Sequence, residues 1–149
     1  MGPADRVGGI LSTVMPLPSI ARRVRWWAGK PAGLVVSVRA YRWARSQLRD
    51  VKRRLSIEGV RTRVAPPSAL APRGHRGLRL ALRTVSPTCL ERALVLQAWT
   101  AAHADPPDVV IGVRKGESEV EAHAWLDSSD DPWFDPSYEE LTRLRFAEN

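Results

Sequence analysis

From Leu34 the apolar positions fall at Leu34, Val38, Tyr41, Ala44, Leu48, Val51 and Leu55, in steps of three and four. That spacing is one face of a long amphipathic helix. Arg39, Arg42, Arg49, Lys52, Arg53 and Arg54 occupy the other faces, and Gly59 just past the pattern is its stop. A stripe of this kind is more often a core face than a docking groove, so the rest of the chain has to supply something for it to pack against. Upstream, Pro31 and Gly33 separate the helix from a shorter basic segment around Ile20 to Ala28. That segment carries Trp26 and Trp27, which on a helix point about 100° apart, so one of them is turned toward a partner or a membrane surface. Downstream, Pro66, Pro67 and Pro72 mark a loop, and His75 to Val85 reads as a second helix with Leu78, Leu82 and Val85 on its apolar side.

After Pro87 the texture changes. Cys89 to His103 consists mostly of good helix formers and is ended by Asp105, Pro106 and Pro107. Asp108 to Arg114 is rich in β-branched residues, and Val120 to Asp127 alternates, so both read as strands. A turn-prone run from Ser128 to Pro132 leads to Trp133-Phe134-Asp135-Pro136, expected to be a short third strand. One helix followed by an antiparallel meander is an α+β arrangement. The expected organisation is a partly helical N-terminal segment (1–32), a basic helical part (33–83) and a small core (84–149), packed as one compact domain.

The charge is partitioned in the same way. Residues 1–83 hold 18 of the 23 basic residues and only three acids, a net +15, whereas residues 84–149 net −8. A basic half suits nucleic acid, anionic lipid or an acidic polypeptide, and equally a solvated helical surface. No stretch approaches the ~20 apolar residues of a spanning helix. The apolar start from Val7 to Ile20 is broken by Pro16 and Pro18 and has neither a basic leading region nor a clean cleavage site. The expectation is a cytoplasmic protein.

The single cysteine excludes an internal disulfide and any multi-cysteine metal site. Thr88-Cys89-Leu90-Glu91 fits the capping box, with Thr88 as N-cap, so Cys89 opens a helix. There the unpaired amides and the positive end of the dipole favour a thiolate and could donate to an oxyanion. Alone, Cys89 would read as a small buried hydrophobe. A histidine and an acid follow, however, on separate expected strands. Alternation puts His123 on one face with Trp125, and Ala122, Ala124 and Leu126 on the other. Asp135 comes twelve residues after His123, across one turn, where a paired strand would bring its carboxylate beside the imidazole. Asp127, Asp130 and Asp131 are rivals at or in the turn.

These segments resemble a known family. Thr88-Cys89-Leu90-Glu91-Arg92-Ala93-Leu94, Val110-Ile111-Gly112-Val113-Arg114, Ala122-His123-Ala124-Trp125 and Trp133-Phe134-Asp135-Pro136 are similar, in order and spacing, to the motifs of transglutaminase-like leader peptidases of lasso-peptide biosynthesis. The resemblance covers about residues 75–145 and implies a papain-related core that cleaves a ribosomally made precursor between leader and core peptide. By motif, Cys89, His123 and Asp135 are its nucleophile, base and orienting acid, with no metal or organic cofactor needed. The implied partners are the precursor, a small leader-binding protein and an asparagine-synthetase-like cyclase, with no nucleic acid. Two positions depart from the pattern. Ala93 replaces a small hydroxyl residue, and Arg83 stands where papain-type peptidases place an oxyanion glutamine, leaving the second oxyanion donor open. Acyl transfer to an amine would use the same triad, and a basic adaptor binding acidic peptide or nucleic acid through residues 20–83 would use none of it.

Overall fold

The computed structural model describes residues 31–70, 72–117, 119–128 and 131–146. The segment around Ile20 to Ala28, with Trp26 and Trp27, and the apolar start lie outside them. Helix α1 (Pro31–Glu58) is followed by a 3-10 turn at Gly59–Arg61, where Gly59 takes a left-handed φ of +58°. Of the stripe, Ala44, Leu48 and Val51 are buried and Tyr41 and Leu55 are half-buried, but Leu34 and Val38 stay exposed at 63% and 49%. The stripe is thus a core face over its C-terminal part and an open one at its start. Arg54 donates to the Arg63 carbonyl at 2.8 Å and to Glu58, tying the helix end to the returning chain.

Helix α2 (His75–Val85) packs on α1 through small residues. Gly77, Leu78 and Ala81 are buried, and a Cβ built on Gly77 would lie 1.8 Å from the Ser37 carbonyl oxygen. Only a glycine permits that approach. Ser86 ends α2 in a left-handed conformation (φ 50°), Pro87 is buried, and Thr88 already caps the next helix, so three residues make the whole corner.

Helix α3 (Cys89–Ala101) runs through the centre, with Ala93, Leu94, Val95, Gln97, Ala98 and Trp99 buried. The core around it gathers Ala40, Ala44, Leu48 and Val51 of α1, Leu78 and Ala81 of α2, Val64, and Val109, Ala124 and Leu126 of the sheet. Gln97, buried at this depth, donates to the carbonyls of Pro107 (2.9 Å) and Leu144 (3.0 Å), satisfying its amide N–H groups and pinning to the helix the end of the sheet where β1 begins and β3 finishes.

The sheet consists of β1 (Val109–Lys115), β2 (Val120–Leu126) and β3 (Glu139–Leu144), all antiparallel, in the order β2-β1-β3. The α+β class holds, but the meander does not: the third strand pairs with β1, and Trp133 to Pro136 is not a strand. The reason is local. Pro132 and Pro136 have no N–H to give a ladder, and the Trp133 and Ser137 amides are taken by the Asp131 and Asp135 carboxylates at 3.0 and 2.9 Å. No helix among the described residues is long and apolar enough to cross a membrane.

Candidate active site

Thr88 caps α3 as its sequence requires. Its Oγ1 accepts from the Glu91 amide at 3.3 Å, and the Glu91 carboxylate accepts from the Thr88 amide at 3.0 Å. Arg92 N–H donates to the Thr88 carbonyl. Among the described residues, the first-turn amides of Cys89 and Leu90 have no acceptor and remain as candidate donors. Cys89 itself is a half-buried free thiol. It borders a narrow crevice shared with Arg92, Ala93, Ala124, Asp131 and Trp133. The alanines from α3 and β2 let helix and strand approach, and the Arg92 guanidinium lies 4.0 Å over the Trp133 ring.

His123 sits on β2 opposite Gly112 of β1. It shares a face with Trp125, the rings stacked at 6.0 Å and 21°, while Tyr138 lies against it at 5.2 Å. Gly112 makes room for this arrangement, since a Cβ there would stand 2.6 Å from the Trp125 ring. His123 Nε2 meets the Trp133 carbonyl oxygen at 2.9 Å. A carbonyl can only accept, so Nε2 carries the proton and the lone pair is on Nδ1. Trp133 therefore links the two residues: its indole borders the Cys89 crevice and its carbonyl fixes the His123 tautomer.

Asp135 is close but differently engaged. Its Oδ1 accepts from the Ser137 amide at 2.9 Å and its Oδ2 lies 3.6 Å from Arg114. The Ser137 amide and hydroxyl hold its carboxyl below the usual carboxylate range against a smaller opposing effect of burial, and the Arg114 charge adds a lesser pull in the same direction. Among the described residues, however, no hydrogen bond joins His123 to Asp135, nor Cys89 to His123. Of the rival acids, Asp127 is paired with Arg143, and Asp131 accepts from the Leu126 and Trp133 amides and so holds the turn. Asp130 lies outside the described residues.

Arg114 organises the periphery. It bonds Glu121 at 2.6 Å and the Ser137 hydroxyl at 3.0 Å, and it lies 4.6 Å over the Tyr138 ring. It thereby ties the Asp135 turn to the sheet. That role and the Trp133 carbonyl were not legible beforehand: the arginine looks like an ordinary strand-end cation, and a main-chain oxygen has no signature in side-chain identity. No group of three or more His, Cys, Asp or Glu that could hold a metal occurs among the described residues.

A family model described as the transglutaminase-like superfamily matches residues 20–146. No curated protein and no solved structure matches the chain.

Proposed function

The chain belongs to the transglutaminase-like superfamily, and on that premise we propose that it is a cysteine peptidase that removes the leader from a ribosomally synthesised precursor peptide, as the lasso-peptide motifs suggest. The observation that carries the proposal is Cys89 at the first turn of a capped helix, bordering a crevice it shares with Ala124, the neighbour of His123 on β2, and with Trp133, whose carbonyl meets His123. In the proposed cycle the Cys89 sulfur attacks the scissile carbonyl carbon, and His123 Nδ1 takes the thiol proton. The Cys89 and Leu90 amides are assigned as donors to the oxyanion. The C–N bond then breaks, the proton passes to the leaving amine, and water hydrolyses the thioester to a carboxylate and the free thiol. Asp135 is assigned the supporting charge for the imidazolium. The precursor, a leader-binding protein and a ring-closing cyclase are the proposed partners.

The test is to incubate the chain with a candidate precursor and its leader-binding protein and to weigh the products. Cys89→Ala should abolish cleavage with the circular dichroism spectrum unchanged, because the substitution removes the nucleophile and little volume. Cleavage retained in that variant would sink the mechanism. A product bearing the mass of a supplied primary amine in place of water would move the activity to acyl transfer.

A further inference from the structure

The start of the α1 stripe is the unexplained part of the molecule. Leu34, Val35 and Val38 are exposed at 63%, 57% and 49%, three large apolar side chains in little more than one helical turn. They do not sit on a flat face. Together with Trp43 and with Pro67 and Leu70 of the facing segment they line an open groove of about 530 Å³. Arg39 and Arg42 stand on its rim. A concave apolar floor accepts a protruding side chain, whereas a membrane-inserting surface is itself the protruding one.

The rim decides the kind of occupant. Every ion-paired arginine of α1 lies at its far end, Arg53 with Asp50 and Arg54 with Glu58. Arg39 and Arg42 have no carboxylate partner among the described residues. The first acid of α1 is Asp50, so no neighbouring turn of the helix can supply one. Residues 1–30 carry five basic residues and one acidic, the same sign as the rim and so a poor electrostatic match. We propose that this groove is a docking site for a partner polypeptide segment that presents large apolar side chains flanked by carboxylates, as one face of an amphipathic helix does. The site belongs to the helical half and is independent of the chemistry at Cys89. Apolar anchors in the groove supply affinity, and the carboxylates opposite Arg39 and Arg42 set orientation and exclude basic segments.

The probe is a fluorescein-labelled synthetic helical peptide with leucines at i, i+3, i+4 and i+7 and glutamates elsewhere, titrated into the full chain and followed by anisotropy. A second peptide has lysine for every glutamate. The glutamate peptide should bind, and the lysine peptide should bind at least about tenfold more weakly. Val38→Asp, and separately the pair Arg39→Glu with Arg42→Glu, should each weaken binding by about tenfold or more. All three positions are exposed, and an unchanged thermal melt confirms that each variant is folded. Equal affinity for both peptides, or undiminished binding by Val38→Asp, overturns the proposal. Two further outcomes also overturn it. Phosphatidylserine vesicles bound more tightly than the peptide and released by Val38→Asp would make the groove a membrane face, and a sedimentation dimer dissociated by that substitution would make it a contact between copies.

Discussion

At His123 a single proton decides how the site can work. With Nε2–H committed to the Trp133 carbonyl, the free lone pair is on Nδ1, and the ring plane is held between Trp125 and Tyr138. Asp135 adds charge from beyond, and its own environment makes a measurable claim. Its folded carboxyl titrates below the usual value, so the stability it contributes is complete above an unfolded value of ~3.9 and is lost as pH falls through the lower folded value. Asp135→Asn should therefore lose less stability than the parent on acidification below about pH 4, as denaturant melts at stepped pH would show. Identical acid limbs would mean that the Ser137 and Arg114 contacts are not kept in solution. Thr88→Ala removes the cap at the start of the Cys89 helix and should lower stability by about 1 kcal/mol, read as a shift in denaturation midpoint. The Thr88 cap, the place of Cys89 at the start of a helix and that of His123 on a strand were legible because capping and alternation are written in side chains. The histidine's bonded acceptor was not, because any residue at position 133 would offer the same oxygen.

Elements read well where their period was internal and poorly where it was not. Helices α1 and α2 follow from the apolar spacing and the proline and glycine stops, α3 follows from its capping box and run of helix formers, and α2 begins and ends at the expected residues. The third strand was misplaced by a few residues because Glu139–Leu144 is exposed along nearly its whole length and has no apolar alternation. Only its pairing with β1, across a bulge at Ile111/Gly112, makes it a strand, and that partner is remote in sequence. The aromatic run before it looks more like a strand and is instead held in turns by two aspartates. The α1–α2 contact carries the clearest element-scale prediction. Gly77→Ala must push the helices apart and should destabilise the fold by ~1–3 kcal/mol. Gly33→Ala, with nothing within 4 Å of its Cβ, should be neutral or slightly stabilising. Chemical denaturation of the two variants side by side is the check, and equal effects would mean that α2 does not approach Ser37 so closely.

Over the whole molecule, charge and chemistry are segregated. The helical half carries the net positive charge and the groove, and the sheet half carries Cys89, His123, Asp135 and most of the acids. Sequence already showed this partition. Within α1, Arg53 and Arg54 are ion-paired, whereas Arg39 and Arg42 at the groove have no carboxylate partner among the described residues. Association with an acidic partner should then be fast at low salt and slow markedly as the screening length falls to ~8 Å near physiological ionic strength. Stopped-flow rates across a salt series would show it, and rates independent of salt would leave the basic half a solvated surface. The corner at Ser86, Pro87 and Thr88 bears on motion. With one left-handed residue, one buried proline and one cap joining two packed helices, it leaves Cys89 almost no backbone freedom. The opposite wall of the site is the exposed run 131–138, held by Asp131 and Arg114 at its ends. Amide hydrogens of the buried, hydrogen-bonded body of α3 from Ala93 to Trp99 should exchange with solvent only on global unfolding, and those of 131–138 through brief local excursions, so that any accommodation of a bulky chain in the crevice is made by one jaw moving against a fixed one.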